Sequence, residues 1–127
     1  MKIEKLRMQT IKQLLSEIEL HDSSLIWLKM NIDGSLVLNI DIDDVWNNNL
    51  PKEIKGVVFN SVFEITAFKM DRVNIIGTIE IENISDYNKE FIIHSGNAAA
   101  KVVRVSIEFV AGGHLVFIGE DIASYLK

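Results

Sequence analysis

The sequence predicts an α+β domain: one N-terminal helix packed on one face of a six- to seven-stranded, mainly antiparallel sheet. Three features point to it. Apolar residues recur at three- and four-residue spacing only near the start of the chain. From residue 25 onward they recur at two, the period of a strand with one face buried. Short turn signals, not helical stretches, separate the alternating runs, as in antiparallel sheets.

The helix is expected over residues 10–19. Thr10 and Gln13 have the spacing of a capping box, in which each side chain bonds the other's backbone amide. Ile11, Leu14, Leu15 and Ile18 then fall on one helical face, an apolar stripe to be buried against the sheet.

After His21-Asp22-Ser23-Ser24 the period changes. Ile26, Leu28, Met30 and Ile32 alternate with Trp27, Lys29 and Asn31. Beyond Asp33-Gly34, Leu36, Leu38, Ile40 and Ile42 alternate with Asn39, Asp41 and Asp43. Asp-Gly between alternating runs signals a hairpin, so strands over 25–32 and 36–43 should pair. Three consecutive Asn, Asn47 to Asn49, and Pro51 mark a loop.

Residues 57–70 are strand-like, but the apolar set changes parity. Phe59, Phe63 and Ile65 share one side, and Phe68 and Met70 the other, which a bulge near Thr66-Ala67 or two short strands would reconcile. A strand over 73–82 sets Ile75, Gly77, Ile79 and Ile81 against Ile76, Thr78, Glu80 and Glu82. Residues 91–94 suit an edge strand. Residues 102–109 alternate cleanly, Ala111-Gly112-Gly113 turns the chain, and 115–118 forms a last strand. Residues 121–126 suit a closing helical turn capped by Asp121.

The 127 residues suit a single domain spanning 1–127, with 48% apolar and 24% charged residues. The chain has no cysteine, which excludes disulfides, thiolate metal sites and cysteine nucleophiles. Glu4, Lys5 and Arg7 interrupt any signal-peptide core, and no apolar run approaches the roughly 18 residues of a membrane span. A cytoplasmic protein without membrane attachment is the expectation. The formal charge of −5 argues against nucleic acid as a partner.

Candidate chemistry is sparse. His21, His94 and His114 have no partner at metal-ligand spacing, and His114 suits a turn. A pocket formed by His21, Asp22 and His94 is one candidate site. Structurally, a His at a helix end interacts favourably with the dipole, and Asp22 or Ser23 can accept from backbone amides. Asp41, Asp43 and Asp44 lack the glycine and closing glutamate of a calcium loop, and alternation already explains Asp41 and Asp43 as solvated. No catalytic set, metal site or cofactor motif emerges. A surface does: if the strands share one sheet, Trp27, Asp41, Asp43, Trp46, Glu80 and Glu82 lie opposite the core and could dock a basic protein partner. The competing expectation is that Trp27 is covered by the helix or a loop.

Leu20-His21-Asp22-Ser23-Ser24-Leu25, followed by a strand, Asp33-Gly34 and a second strand, resembles the opening of small bacterial proteins with a His-Asp-Ser or His-Asp-Ala segment. Some of these are assigned as immunity proteins that neutralise toxins exchanged between competing bacteria. The later strand, glycine turn and short strand over 102–118 fit the same resemblance. It implies a cytoplasmic, non-enzymatic toxin binder and carries over no catalytic residue. The alternatives are a small ligand-binding or enzymatic domain using the His21, Asp22 and His94 pocket, and an oligomeric structural protein.

Overall fold

The computed structural model describes residues 8–84 and 101–127. Among the described residues one short helix, α1 (Ile11–Glu17), precedes eight strands. These are β1 (Ser24–Met30), β2 (Leu36–Asp41), β3 (Gly56–Phe59), β4 (Val62–Lys69), β5 (Ile76–Asn83), β6 (Val102–Phe109), β7 (His114–Glu120) and β8 (Ala123–Leu126). They form two four-stranded sheets, ordered β1-β2-β3-β8 and β4-β7-β6-β5, with every neighbouring pair antiparallel. The single sheet of six or seven strands is therefore corrected to two sheets packed face to face. Alternation sets which side of a strand is buried but not which sheet the strand joins. The expected edge strand at 91–94 and the turns around it lie outside the described residues.

Two long segments join the sheets. β3 pairs with β8 from Gly56↔Leu126 to Phe59↔Ala123, and β4 pairs with β7 from Val62↔Gly119 to Lys69↔His114. Between them the chains bend together. The Asn60 amide donates to the Ile122 carbonyl (3.1 Å) and the Glu120 amide to the Ser61 carbonyl (2.8 Å). A Cβ at Gly119 would collide with the Ser61 carbonyl oxygen, so this crossing requires glycine. Residues 57–70 thus contain both devices the parity change called for: a break into two strands, and register shifts that include one between Ile65 and Ala67.

The shared core includes Leu36, Leu38 and Val57 from one sheet and Val105, Ile107 and Leu115 from the other. The rings of Phe59 and Phe117 meet across it with centroids 4.6 Å apart. At its far side the layer is closed by a Ser24↔Ile75 bridge between β1 and the approach to β5.

The helix has the expected cap: Thr10 Oγ1 accepts from the Gln13 amide and Gln13 Oε1 accepts from the Thr10 amide. Ile11, Leu14 and Ile18 are buried, and Leu15 is half-buried against the core. However, seven residues make only about 10 Å of helix, too short to cover a sheet. Its contacts are with the β8 side. Gln9 bridges Ala123, the Asp121 carboxylate accepts from the Ile11 amide (2.8 Å), and the Tyr125 hydroxyl donates to Glu17 (2.8 Å). Burial and that acceptor together raise the Tyr125 pKa. Beyond the helix, Ile18 and Leu20 reach Ile76 and Ile79 of β5 around a small cleft. The expected sheet-covering helix is corrected to a plug at the side of the sandwich. The expected closing helical turn is instead strand β8, and Asp121 caps α1.

The β1–β2 hairpin forms as expected. Gly34 has φ 91°, and the Asn31 amide donates to the Ser35 carbonyl to close the loop (2.8 Å). The second hairpin repeats it, with Phe109 donating to Gly113 (2.9 Å). Asp33 accepts from the Ser35 amide (2.9 Å) and hydroxyl (2.7 Å), and these bonds hold its carboxyl below the usual value.

Leu14→Ala should cost roughly 2–5 kcal/mol in urea unfolding, and Leu15→Ala less than about 2, because only the first side chain is fully enclosed. Because the Asp33 pKa is lowered on folding, its contribution is present above the unfolded value of 3.8 and is lost as pH falls through the folded value. Asp33→Asn should therefore flatten the fall of Tm on acidification. An unchanged acid limb would remove Asp33 from that role.

Candidate functional site

Cross-strand pairing assigns each side chain to a face. On the outer face of the first sheet, Lys29, Val37, Val58 and Ser124 form one row, and Trp27, Asn39, Gly56 and Leu126 the next. Asp41 follows Asn39 on the same side of β2. A register shift between Leu25 and Trp27 bulges the strand at Ile26. That shift turns Leu25 into the core and leaves Ile26 54% exposed, the reverse of simple alternation. Trp27 is 45% exposed, so neither helix nor loop buries it.

Residues 44–55 rise beside this face. A cleft of about 550 Å³ lies between them and the sheet, with Ile26, Asn39 and Asp41 on one wall and Asp44, Leu50, Pro51, Lys52 and Lys55 among its other lining residues. The loop is fixed by Asn47, the first of the three consecutive Asn. Its side chain accepts from the Glu19 amide (2.8 Å) and donates to the Glu19 carbonyl (2.7 Å) and the Asp43 carbonyl (2.9 Å). Val45 and Trp46, on the turn before it, are 77% and 59% exposed. Ile32, at the opposite end in the hairpin loop, is fully exposed.

The outer face of the second sheet is of another kind. Its rows are Lys69, His114, Glu108 and Thr78, then Ala67, Val116, Ser106 and Glu80, then Glu64, Ile118, Arg104 and Glu82. Arg104 and Glu82 form an exposed ion pair at 3.2 Å. Here too a bulge intervenes: the shift between Ile76 and Thr78 puts Ile76, Ile79 and Ile81 on the core side and displaces Gly77 from it.

The expected docking residues therefore divide. Trp27 and Asp41 share the first sheet's outer face, and Asp43 and Trp46 follow at its end. Glu80 and Glu82 lie on the other sheet, facing away, because both inner faces are committed to one core. The single acidic face is corrected to an apolar and aromatic face on one sheet and a charged face on the other. Sequence reading missed Ile26, Ile32, Val45 and the cleft lining at Leu50 to Lys55. The bulge at Ile26 leaves no break in the alternation that would signal it, and the cleft depends on how the loop folds back.

Of the second candidate pocket, His21 and Asp22 are side by side, with Nδ1 and Oδ2 3.3 Å apart and both side chains half-exposed. His21 lines a cleft of about 190 Å³ with Glu19, Leu15, Ile18 and Ile76. His94 lies outside the described residues. His114 stands on the second sheet's outer face, at the start of β7. Among the described residues, no group of three histidine or acidic side chains could hold a metal ion.

The His-Asp-Ser segment has a clear structural role. Asp22 adopts φ 70°, a conformation that Asp tolerates better than most residues. This turn lets the Asp22 amide donate to the Ile76 carbonyl and the Ser23 carbonyl accept from the Ile76 amide, at 3.0 and 2.8 Å. Ser23 is buried, and its hydroxyl accepts from the Asp43 amide (2.9 Å). One residue thus ties β1, β5 and the exit of β2.

Compared with known proteins, the chain matches no family model, no curated protein and no solved structure. Among the described residues, no helix is long and apolar enough to cross a membrane.

Ser23→Ala should cost about 1–3 kcal/mol in urea unfolding, since it leaves the Asp43 amide without its acceptor. Ser24→Ala should stay within roughly 0.5 kcal/mol. Equal effects at the two positions would argue against Ser23 as the junction.

Proposed function

We propose that the protein is a non-enzymatic binding module acting in the cytoplasm, an immunity protein that neutralises a cognate toxin by holding it on the outer face of the first sheet. One observation carries this reading: the exposed apolar side chains Ile26, Trp27, Ile32, Val45 and Trp46 cluster along β1 and the two loops that flank the β1–β2 pair. A soluble domain rarely leaves such a surface uncovered unless something docks there. Tryptophan at the centre of an apolar patch is the commonest kind of binding anchor. The resemblance of the Leu20 to Leu25 segment to immunity proteins supports the same reading.

Charge acts at longer range. The formal charge of −5 steers a basic partner towards the protein, whereas the face itself mixes Lys29, Lys52 and Lys55 with Asp41, Asp43 and Asp44. Contact is then made mainly by apolar and aromatic groups, with the charges setting orientation.

The test is to read the genes that flank this one and co-express the protein with any toxin encoded there; flanking genes that encode no toxin count against the proposal. The expected result is a co-purifying complex, relief of growth inhibition, and a loss of about thirtyfold or more in affinity for Trp27→Asp, the scale of a hot spot of about 2 kcal/mol. Glu80→Lys, on the other sheet, should change affinity far less. Toxicity that persists without any complex would overturn the proposal.

A further inference from the structure

We infer that the outer face of the first sheet is self-complementary and holds a second copy of this chain. The inference rests on reading that face as a docking surface: without toxin the face pairs two copies of the chain, and toxin, binding the same face, displaces the second copy.

The argument is one of register. The Trp27, Asn39, Gly56 and Leu126 row runs across the middle of the face. Lys29 stands one row towards the hairpin loop, and Asp41 one row towards the opposite end, on the neighbouring strand. Rows on one face are about 7 Å apart, and neighbouring strands about 4.8 Å. A two-fold axis lying in the interface along the middle row, perpendicular to the strands, exchanges the two outer rows. It brings Lys29 of each copy within one strand spacing of Asp41 of the other. Two such contacts form, as an isologous interface requires.

The apolar groups obey the same operation. Trp27 lies on the axis row and meets Trp27 of the other copy. Ile32 lies beyond the Lys29 row, and Val45 and Trp46 beyond the Asp41 end, so the exchange sets the exposed loop isoleucine of one copy over the exposed turn of the other. Fully exposed Ile32, which has no role in the monomer's core, thereby gains an apolar surface to cover it. Charges of both signs flank the face: Lys29, Lys52 and Lys55 stand among Asp41, Asp43 and Asp44, with exposed Glu53 in the same loop and Asp33 beside Ile32. The three lysines offset part of the acidic excess there.

Light scattering across a series from micromolar to millimolar protein should show the mass rising from 14.4 kDa to twice that value. Lys29→Asp and Asp41→Lys should each weaken association about tenfold or more, and the double reversal should restore it. The absence of cysteine permits a second readout that does not depend on those variants folding well. Asn39→Cys places one thiol per chain on the axis row. A bismaleimide spanning about 10 Å, the face-to-face spacing of sheets, should link the copies, while Glu80→Cys should remain unlinked.

A chain that stays monomeric throughout overturns the inference, as does a dimer that both charge reversals leave unchanged or that links through Glu80→Cys instead. The toxin-binding reading is decided separately by the affinity of Trp27→Asp for the toxin. A monomer that loses toxin with that substitution would refute self-association and keep the docking surface.

Discussion

Backbone amides and carbonyls at a sheet corner lose their partners unless both strands turn together, and a buried unpaired group costs about as much as a whole interaction returns. This protein meets the constraint by bending one continuous antiparallel pair, residues 56–69 against 114–126. Hydrogen bonds on either side of the bend, Asn60 to Ile122 and Glu120 to Ser61, keep the ladder joined through it. Gly119 lets the chains approach, and the Ser61 hydroxyl donates to the Glu120 carboxylate (3.1 Å), which is buried at the bend. Once the corner is set, each half of the pair seeds its own sheet. β2 and then β1 add to β3, while β6 and then β5 add to β7. Face-to-face packing follows from the bend.

The opposite side needs its own closure, and the Asp22-Ser23 turn supplies it. A left-handed residue followed by a buried serine lets the chain bond β5 through its backbone and the end of β2 through a hydroxyl. The helix then has a defined gap to fill. Two turns suffice, because Ile11, Leu14 and Ile18 have only to seal the side between β8 and β5. Longer helices are needed to blanket a sheet, and here the second sheet has already covered the inner face of the first.

Much of this was legible locally. The capping box at Thr10 and Gln13, the hairpin at Asp33-Gly34 and the strand at 102–109 depend on neighbours within a few residues, and all three form. The assignment of strands to sheets was not legible, since Leu36 and Val105 carry the same period of two although they approach the core from opposite layers. Bulges were a second limit where the residues beyond them still alternate. At Ile26 and Gly77 one inserted residue reverses the parity unseen, whereas near Thr66 the parity change itself announced the bulge. The final residues show a third: Asp121 is a capping residue, as its type suggests, but the helix it caps begins over a hundred residues earlier.

The same limits explain why the candidate surface was only half visible. Trp27 and Asp41 could be placed outside by alternation, and they are. Glu80 and Glu82 satisfied the same rule, yet a rule about inside and outside does not distinguish two outward directions. The structure separates them by chemistry as well as by position. On the second sheet, Glu82 meets Arg104, and Glu80 stands beside Ser106, so polar groups have partners within the chain or in water. On the first, Ile26, Trp27 and Ile32 are exposed among the described residues, and burial against another molecule would reduce their contact with water. Exposed apolar groups also stand on the edge strand of the second sheet, at Ile65 and Phe68, so what singles out the first face is its exposed tryptophan with Ile26 beside it.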